Sequence, residues 1–174
     1  MNSFIHNSKK NGFTMIELII TIAILSFGII GVYTAFNPIA SLTYTIALRF
    51  NAAYLAQEGL EIVRNLRDNN FIEEVEWSEG LLICEIGCQA DYKTGTSVQT
   101  PENALKAYDD NTFLSLNQDG FYGYDAGGTV TKFKRKITIH RVSGDVLKAS
   151  VVVTWNYNGV PYSFDAAEYL YNWY

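Results

Sequence analysis

Residues 18–36 read LIITIAILSFGIIGVYTAF, and no charged side chain occurs from Leu18 to Leu48. About twenty apolar residues in a helix, at ~1.5 Å each, cross the ~30 Å hydrocarbon core of a bilayer. The stretch therefore predicts one membrane-spanning helix. Gly28 and Gly31 lie inside it, where small residues permit close approach of neighbouring helices and are also simply tolerated.

Outside this stretch the composition is that of one modest domain. The chain has 174 residues, which leaves room for a single core. Its formal net charge of −5 argues against a general nucleic-acid binder. Tyr, Phe, Thr and Val are frequent in the second half of the chain, and these residues favour a pleated, half-buried sheet.

Lys9 and Lys10 precede the apolar run, which predicts that the N-terminal end stays in the cytoplasm and the rest of the chain is exported. An ordinary signal peptide fits poorly, since a cut after Ala35 or Ala40 would place Tyr33 or Pro38 at the −3 position.

The string KKNGFTMIELIITIAILSF at residues 9–27 resembles the class III signal of type IV prepilins and type II secretion pseudopilins. The resemblance implies that prepilin peptidase cleaves between Gly12 and Phe13, after the basic leader residues Lys9 and Lys10. It also implies N-methylation of the new N-terminus at Phe13.

Glu17 is a carboxylate at the start of a membrane helix, a costly position that usually marks function. The resemblance implies that Glu17 neutralises the N-terminal ammonium of a neighbouring subunit, a subunit charge pairing that would fix axial register. The alternative is a Glu favoured by the helix macrodipole and solvated by headgroups.

After Pro38 the pattern becomes amphipathic. One apolar stripe spaced by three and four residues predicts that the helix continues to about Asn70. Its members are Leu48, Ala52, Leu55, Gly59, Ile62 and Leu66. Glu61 and Arg64 lie at a spacing where opposite charges meet on a helix surface.

The block AAYLAQEGLEIVRNLRDNNF at residues 52–71 resembles the minor-pilin, PilV-like branch. Pilins with a helix-kinking Pro carry it at the position of Thr34, so we expect any kink or unwound stretch here to lie later, near Pro38.

The last third of the chain reads as strands joined by tight turns. TVTKFKRKITIHRV (129–142) is predicted as one strand, and VLKASVVVTWNY (146–157) alternates apolar residues onto one face. We predict an α+β, pilin-like fold, with a long N-terminal helix packed on a four- to five-stranded antiparallel sheet. The predicted organisation is a leader at 1–12, a transmembrane and filament-core helix at 13–38, an amphipathic continuation at 39–70 and a globular head at 71–174.

Cys84 and Cys88 are the two cysteines of the chain, on the side of the membrane predicted to be oxidising. They could close a small disulfide turn or remain two free apolar residues. Without nearby histidines they do not indicate a zinc site.

Lys132, Lys134 and Lys136 alternate onto one strand face. They could bind DNA phosphate or the acidic run Glu73–Glu79 of a neighbour, or form a solvated face that discourages aggregation. His6 and His140 lack a nucleophile partner in any interpretable motif. The sequence therefore predicts no enzyme, no catalytic residue, no metal and no cofactor.

By this resemblance the chain is a structural, minor subunit of a type IV pilus or related filament. Alternatives are a type II secretion or DNA-uptake pseudopilin, and a signal-anchored extracytoplasmic binding module. The implied partners are prepilin peptidase, other pilin subunits, an inner-membrane assembly platform and, before assembly, the lipid bilayer. The implied location is a single pass through the inner membrane with an extracytoplasmic head, followed by assembly into a filament.

Overall fold

The computed structural model describes residues 12–95 and 104–173. They contain one α-helix, a short 3-10 helix at Leu81–Cys84 and eight strands. The helix α1 spans Met15–Ile72. The strands are β1 Cys88–Gln89, β2 Lys106–Ala107, β3 Ser115–Leu116, β4 Tyr122–Gly123, β5 Thr129–Val130, β6 Phe133–Ser143, β7 Val146–Tyr157 and β8 Val160–Tyr171.

The chain divides into two compact units, Met1–Ile46 and Ala47–Tyr174. The described part of the first unit is the N-terminal half of α1 with the three residues before it. The helix is unbroken at Pro38, so the unwound stretch expected there is absent. The second unit contains the rest of α1 and all described strands.

The fold is α+β and pilin-like, as predicted: α1 packs against an antiparallel sheet. That sheet has five strands in the order β2-β1-β6-β7-β8. β6, β7 and β8 pair along most of their lengths, because alternating apolar residues bury one face of these strands. β7 has the predicted bounds.

Two details of the sheet were predicted wrongly. The segment 129–142 is two strands, and β5 belongs to a separate three-stranded sheet in the order β4-β3-β5. The interruption lies where Thr131 donates its backbone N–H and its hydroxyl to the carbonyl of Leu114, at 2.9 and 2.7 Å. The predicted single sheet is therefore two sheets.

The core lies between the second half of α1 and the long strands. Its fully buried members include Ala52, Val63, Ile137 and Val151. Helix and sheet approach closely at Gly59, since a Cβ there would lie 3.0 Å from Val151 Cγ1. The predicted helix stripe is buried, apart from Leu66, which is half-buried.

Candidate functional site

The predicted cleavage segment lies at the start of the described chain. Gly12, Phe13 and Thr14 precede α1 and are exposed, and the Phe13 side chain is 79 % accessible. The Gly12–Phe13 bond is therefore outside the helix and open to solvent. The leader lysines Lys9 and Lys10 lie outside the described residues.

Glu17 occupies the first turn of α1. Its backbone N–H donates to the Thr14 hydroxyl at 3.3 Å, and the N–H of Leu18 donates to the Thr14 carbonyl at 3.2 Å. Thr14 is thus the N-cap residue and Glu17 the third helical residue, the positions of a Thr-x-x-Glu capping box. The Glu17 side chain is exposed, so it is available to a neighbouring molecule.

The helix that follows presents apolar side chains on every side. Large hydrophobic residues from Phe13 to Ile46 are all exposed in the first unit. The hydroxyls of Thr21, Ser26 and Thr34 donate to carbonyls one turn back, at 2.7 to 3.0 Å. α1 is long and apolar enough to cross a membrane by length and composition. With its hydroxyls satisfied internally, this surface suits lipid or other apolar helices rather than water.

In the head, Cys84 and Cys88 form a disulfide. Both residues are fully buried. Cys88 also pairs with Ala107 of β2 and with Ile137 of β6. The disulfide therefore ties the 3-10 helix to the short edge strands of the five-stranded sheet.

Sequence reasoning missed Arg135, which is fully buried in the core. Its guanidinium donates to the carbonyls of Leu55 at 3.0 Å and Ala90 at 2.6 Å, and lies 3.3 Å from a Glu58 carboxylate oxygen. The alternation of β6 places Arg135 at an inward position with Phe133 and Ile137, but it does not identify the partners.

Lys134 and Lys136 lie on one face of β6 as predicted, whereas Lys132 lies one residue before that strand. Each of the three lysines lies over an aromatic ring. Lys132 lies over Tyr157, Lys134 over Phe113 and Lys136 over Tyr108, at 5.9, 4.9 and 5.3 Å. Lys134 also lies 3.5 Å from Asp110. These contacts orient the ammonium groups while leaving them at the surface.

Other charges join the second half of α1 to the sheet. Arg64 contacts Glu61, as the spacing predicted, and donates to Glu168 of β8 at 2.5 Å. The hydrogen bond from Arg64 to Glu168 and the charge of Glu168 raise the pKa of the Arg64 guanidinium.

Burial raises the pKa of Tyr124 to about 12. Its hydroxyl donates to the Arg135 carbonyl at 3.4 Å.

Residues 12–95 and 104–173 contain no group of three or more His, Cys, Asp or Glu side chains placed to hold a metal ion. The predicted site residues do not converge on one centre. Gly12, Phe13 and Glu17 share the N-terminal segment, whereas Cys84 and Cys88 belong to the head.

Comparison with known proteins identifies a family motif at the N-terminal end of the chain. No curated protein matches the chain, and no solved structure does. Residues 7–33 match the family model described as the prokaryotic N-terminal methylation motif, and the match spans Gly12, Phe13 and Glu17. The chain thus carries an N-terminal methylation motif, which indicates a type IV pilin-like or pseudopilin precursor processed by prepilin peptidase.

Proposed function

We propose that this protein is a minor structural subunit of a type IV pilus or related filament, which assembles through its N-terminal helix. The observation that carries the proposal is the order of features around Gly12. An exposed Gly12–Phe13 bond is followed by a capped helix start with Glu17 and then by a fully exposed apolar helix. A filament subunit needs each of these features, and none of them supplies a catalytic group.

Gly12 itself supports cleavage at this position. A Cβ built there would meet nothing within 4 Å, and its φ is not in the left-handed region. The fold therefore does not require glycine at position 12. A glycine at this position would suit a peptidase that must hold the chain close to its catalytic groups.

In the proposed organisation, residues 1–12 are the leader and remain cytoplasmic. Residues 13–38 cross the inner membrane and later form the filament core, while residues 39–70 continue the helix under the extracytoplasmic head, residues 71–174. After cleavage, Phe13 is methylated and its ammonium pairs with Glu17 of an adjacent subunit.

Assembly follows from the properties of the first unit. Its exposed apolar side chains are stable in lipid before assembly and among other subunit helices afterwards. Transfer of the helix from lipid to the filament needs an inner-membrane assembly platform, because an apolar helix of this length does not leave a bilayer unaided. In a low-dielectric bundle an unpaired Glu17 carboxylate is penalised, so the ammonium pairing selects the axial register.

The test is the N-terminal mass and sequence of the membrane-extracted protein, expressed with and without a prepilin peptidase. We expect a chain beginning at N-methyl-Phe13 only when the peptidase is present. A Met1 start in both cells would contradict the proposal and leave an anchored binding module as the working model.

A matched pair of glycine variants sharpens this test. Gly12→Val should abolish cleavage, whereas Gly31→Val should not, although a Cβ at either position meets open space in the structure. Equal cleavage of the two variants would show that glycine is not recognised at position 12.

A further inference from the structure

The strand β8 forms one edge of the five-stranded sheet, and in the described part of the chain it pairs with β7 alone. The two strands pair without a register shift from Val160 to Tyr171. The other outer strands of the two sheets, β2, β4 and β5, have two residues each, whereas β8 has 12. β8 therefore presents a long open edge to its surroundings.

The turn before β8 determines which of its backbone groups point away from β7. Asn158 and Gly159 have φ values of 52° and 78°, as in a two-residue type I′ turn. Tyr157 and Val160, which flank this turn, therefore exchange hydrogen bonds. Hydrogen-bonded and non-hydrogen-bonded pairs alternate along an antiparallel ladder. Even-numbered residues of β8 thus bond to β7, and odd-numbered residues direct their N–H and C=O groups outward.

Two observations agree with this assignment. Pro161, which has no N–H to donate, occupies an outward position, and the N–H of Asn172, an even-numbered residue, donates to the Asp145 carbonyl at 2.9 Å. The outward residues that follow Pro161 are all exposed: Ser163, Asp165, Ala167, Tyr169 and Tyr171. Within residues 12–95 and 104–173 the backbone N–H groups of these five residues have no hydrogen-bond partner.

The open edge is acidic and lacks the usual protection against pairing. Proteins protect sheet edges with lysines, bulges or prolines, but β8 has no lysine and no bulge, and its proline is the second residue. Glu168 is bound by Arg64, whereas Asp165 is exposed and has no ion-pair partner among the described residues. On the core side, Phe164 and Ala166 are half-buried. An added strand can therefore cover apolar surface on one face and meet a carboxylate on the other.

We propose that the edge at residues 163–171 binds an extended segment of a different protein, which adds one antiparallel strand to the sheet. The segment carries a basic side chain opposite Asp165 and apolar side chains beside Phe164 and Ala166. A second copy of β8 fits less well, because it brings further carboxylates and no cation to the same edge. This role goes beyond filament assembly, since it uses the head rather than the N-terminal helix.

The test is the binding of labelled nine-residue peptides to the full chain in detergent, followed by fluorescence anisotropy. One peptide alternates valine with lysine or threonine, and a second has glutamate in place of each lysine. We expect the lysine peptide to bind at least about tenfold more tightly than the glutamate peptide, because its cation faces Asp165. Equal binding of the two peptides overturns the proposal.

Backbone N-methylation of the lysine peptide distinguishes strand addition from simple charge attraction. Residues directly opposite each other in a ladder have side chains on the same face of the sheet. The lysine and threonine residues, which lie opposite Asp165 and its odd-numbered neighbours, therefore direct their N–H groups toward β8. N-methylation of these residues should abolish binding, whereas N-methylation of the valines should leave most of the affinity. Equal effects of the two methylation patterns contradict a backbone ladder.

Variants of β8 locate the site. Ala167→Pro removes an outward N–H and keeps the ladder with β7, as Pro161 does, and should weaken binding of the lysine peptide at least about tenfold. Asp165→Lys should reverse the preference, so that the glutamate peptide binds more tightly. The control is Asp119→Lys, which makes the same charge change at an exposed position between β3 and β4 and should leave binding unchanged.

Two further results overturn the proposal. One is wild-type binding of the lysine peptide by both Ala167→Pro and Asp165→Lys, which places the peptide elsewhere on the protein. The other is a dimer of the full chain that Ala167→Pro abolishes, which assigns the edge to a second copy.

Discussion

Glu17 has two physical accounts that differ in what they require of its charge. As the third helical residue, the last of the capping box, it needs only a side chain that can accept a hydrogen bond, and Gln serves as well as Glu. As the partner of a neighbouring N-terminal ammonium, it needs a negative charge. The observed cap, with the Glu17 N–H donating to Thr14 at 3.3 Å, is compatible with both accounts.

Glu17→Gln separates the two accounts, because it keeps the cap and removes the charge. We expect the variant to be inserted and cleaved normally but to appear in sheared filaments at least tenfold less than the wild type, since the ammonium of the next subunit loses its partner. The measurement is the ratio of filament to membrane protein by quantitative immunoblotting.

Thr14→Ala is the matched control, because it removes the cap and keeps the charge. The lost cap costs about 1 kcal/mol of local helix stability, which a helix of this length tolerates, so assembly should persist. Normal assembly of Glu17→Gln, or an equal defect in both variants, would refute charge pairing.

At the residue scale, the sequence was informative wherever chemistry and spacing were both local. Gly12, Phe13 and Glu17 are close in sequence, so one short string contains the whole motif. Arg135 is different: its partners are Leu55, Glu58 and Ala90. No local sequence pattern indicates a salt bridge between residues as far apart as Glu58 and Arg135. An inward strand position alone does not identify the partner of an arginine.

At the scale of secondary-structure elements, periodicity predicted α1 and β7 well because each element buries one face over many residues. It failed at residues 129–142, where the alternation continues through a change of sheet. The interruption depends on Thr131 binding Leu114, a contact between segments that are not adjacent in sequence. The two-residue strands β1 to β5 are too short to show a period at all.

The disulfide belongs to this scale because it supports an edge of the sheet. β1 contains only Cys88 and Gln89, yet it is the link between β2 and β6. So short a strand has few ladder hydrogen bonds of its own. Its position therefore depends on the covalent tie from Cys88 to Cys84 and on the burial of both residues.

Replacing both cysteines with alanine should lower the free energy of unfolding of the head by roughly 2 kcal/mol, the loop-closure entropy of a ring of this size. The effect should be uneven. Amide hydrogen exchange should accelerate most at position 88, at Gln89 and at Ala107, and least in the middle of β7. Uniform acceleration across the head, or none at β1, would mean that the disulfide does not hold this edge.

At the scale of the whole chain, the two units bury their apolar residues in different ways. Ala47–Tyr174 has its own core between α1 and the sheet, whereas the described part of Met1–Ile46 exposes its apolar residues. The second unit can therefore be stable without a partner, and the first needs lipid or other subunits. This division matches the proposed function, in which the chain is first inserted in a membrane and then assembled into a filament.

Within the second unit, Arg135 joins three segments that are distant in sequence. It extends from β6 to the Leu55 carbonyl on α1 and to the Ala90 carbonyl just after β1. Its charge is balanced by Glu58, which remains partly exposed. Removing a buried guanidinium leaves these acceptors without a donor, and an unsatisfied buried group costs more than the original bond contributed.

Arg135→Met should therefore destabilise the second unit by roughly 3 kcal/mol, measured by urea unfolding of the full chain in detergent with tryptophan fluorescence. Lys134→Met, the same substitution one residue earlier on the opposite face, should change stability by at most about 0.5 kcal/mol. Adding Glu58→Gln to Arg135→Met should recover part of the loss, because it removes the uncompensated carboxylate. If Arg135→Met is no more harmful than Lys134→Met, the carbonyls of Leu55 and Ala90 do not depend on the guanidinium, and the packing of Gly59 against Val151 must hold α1 on the sheet instead.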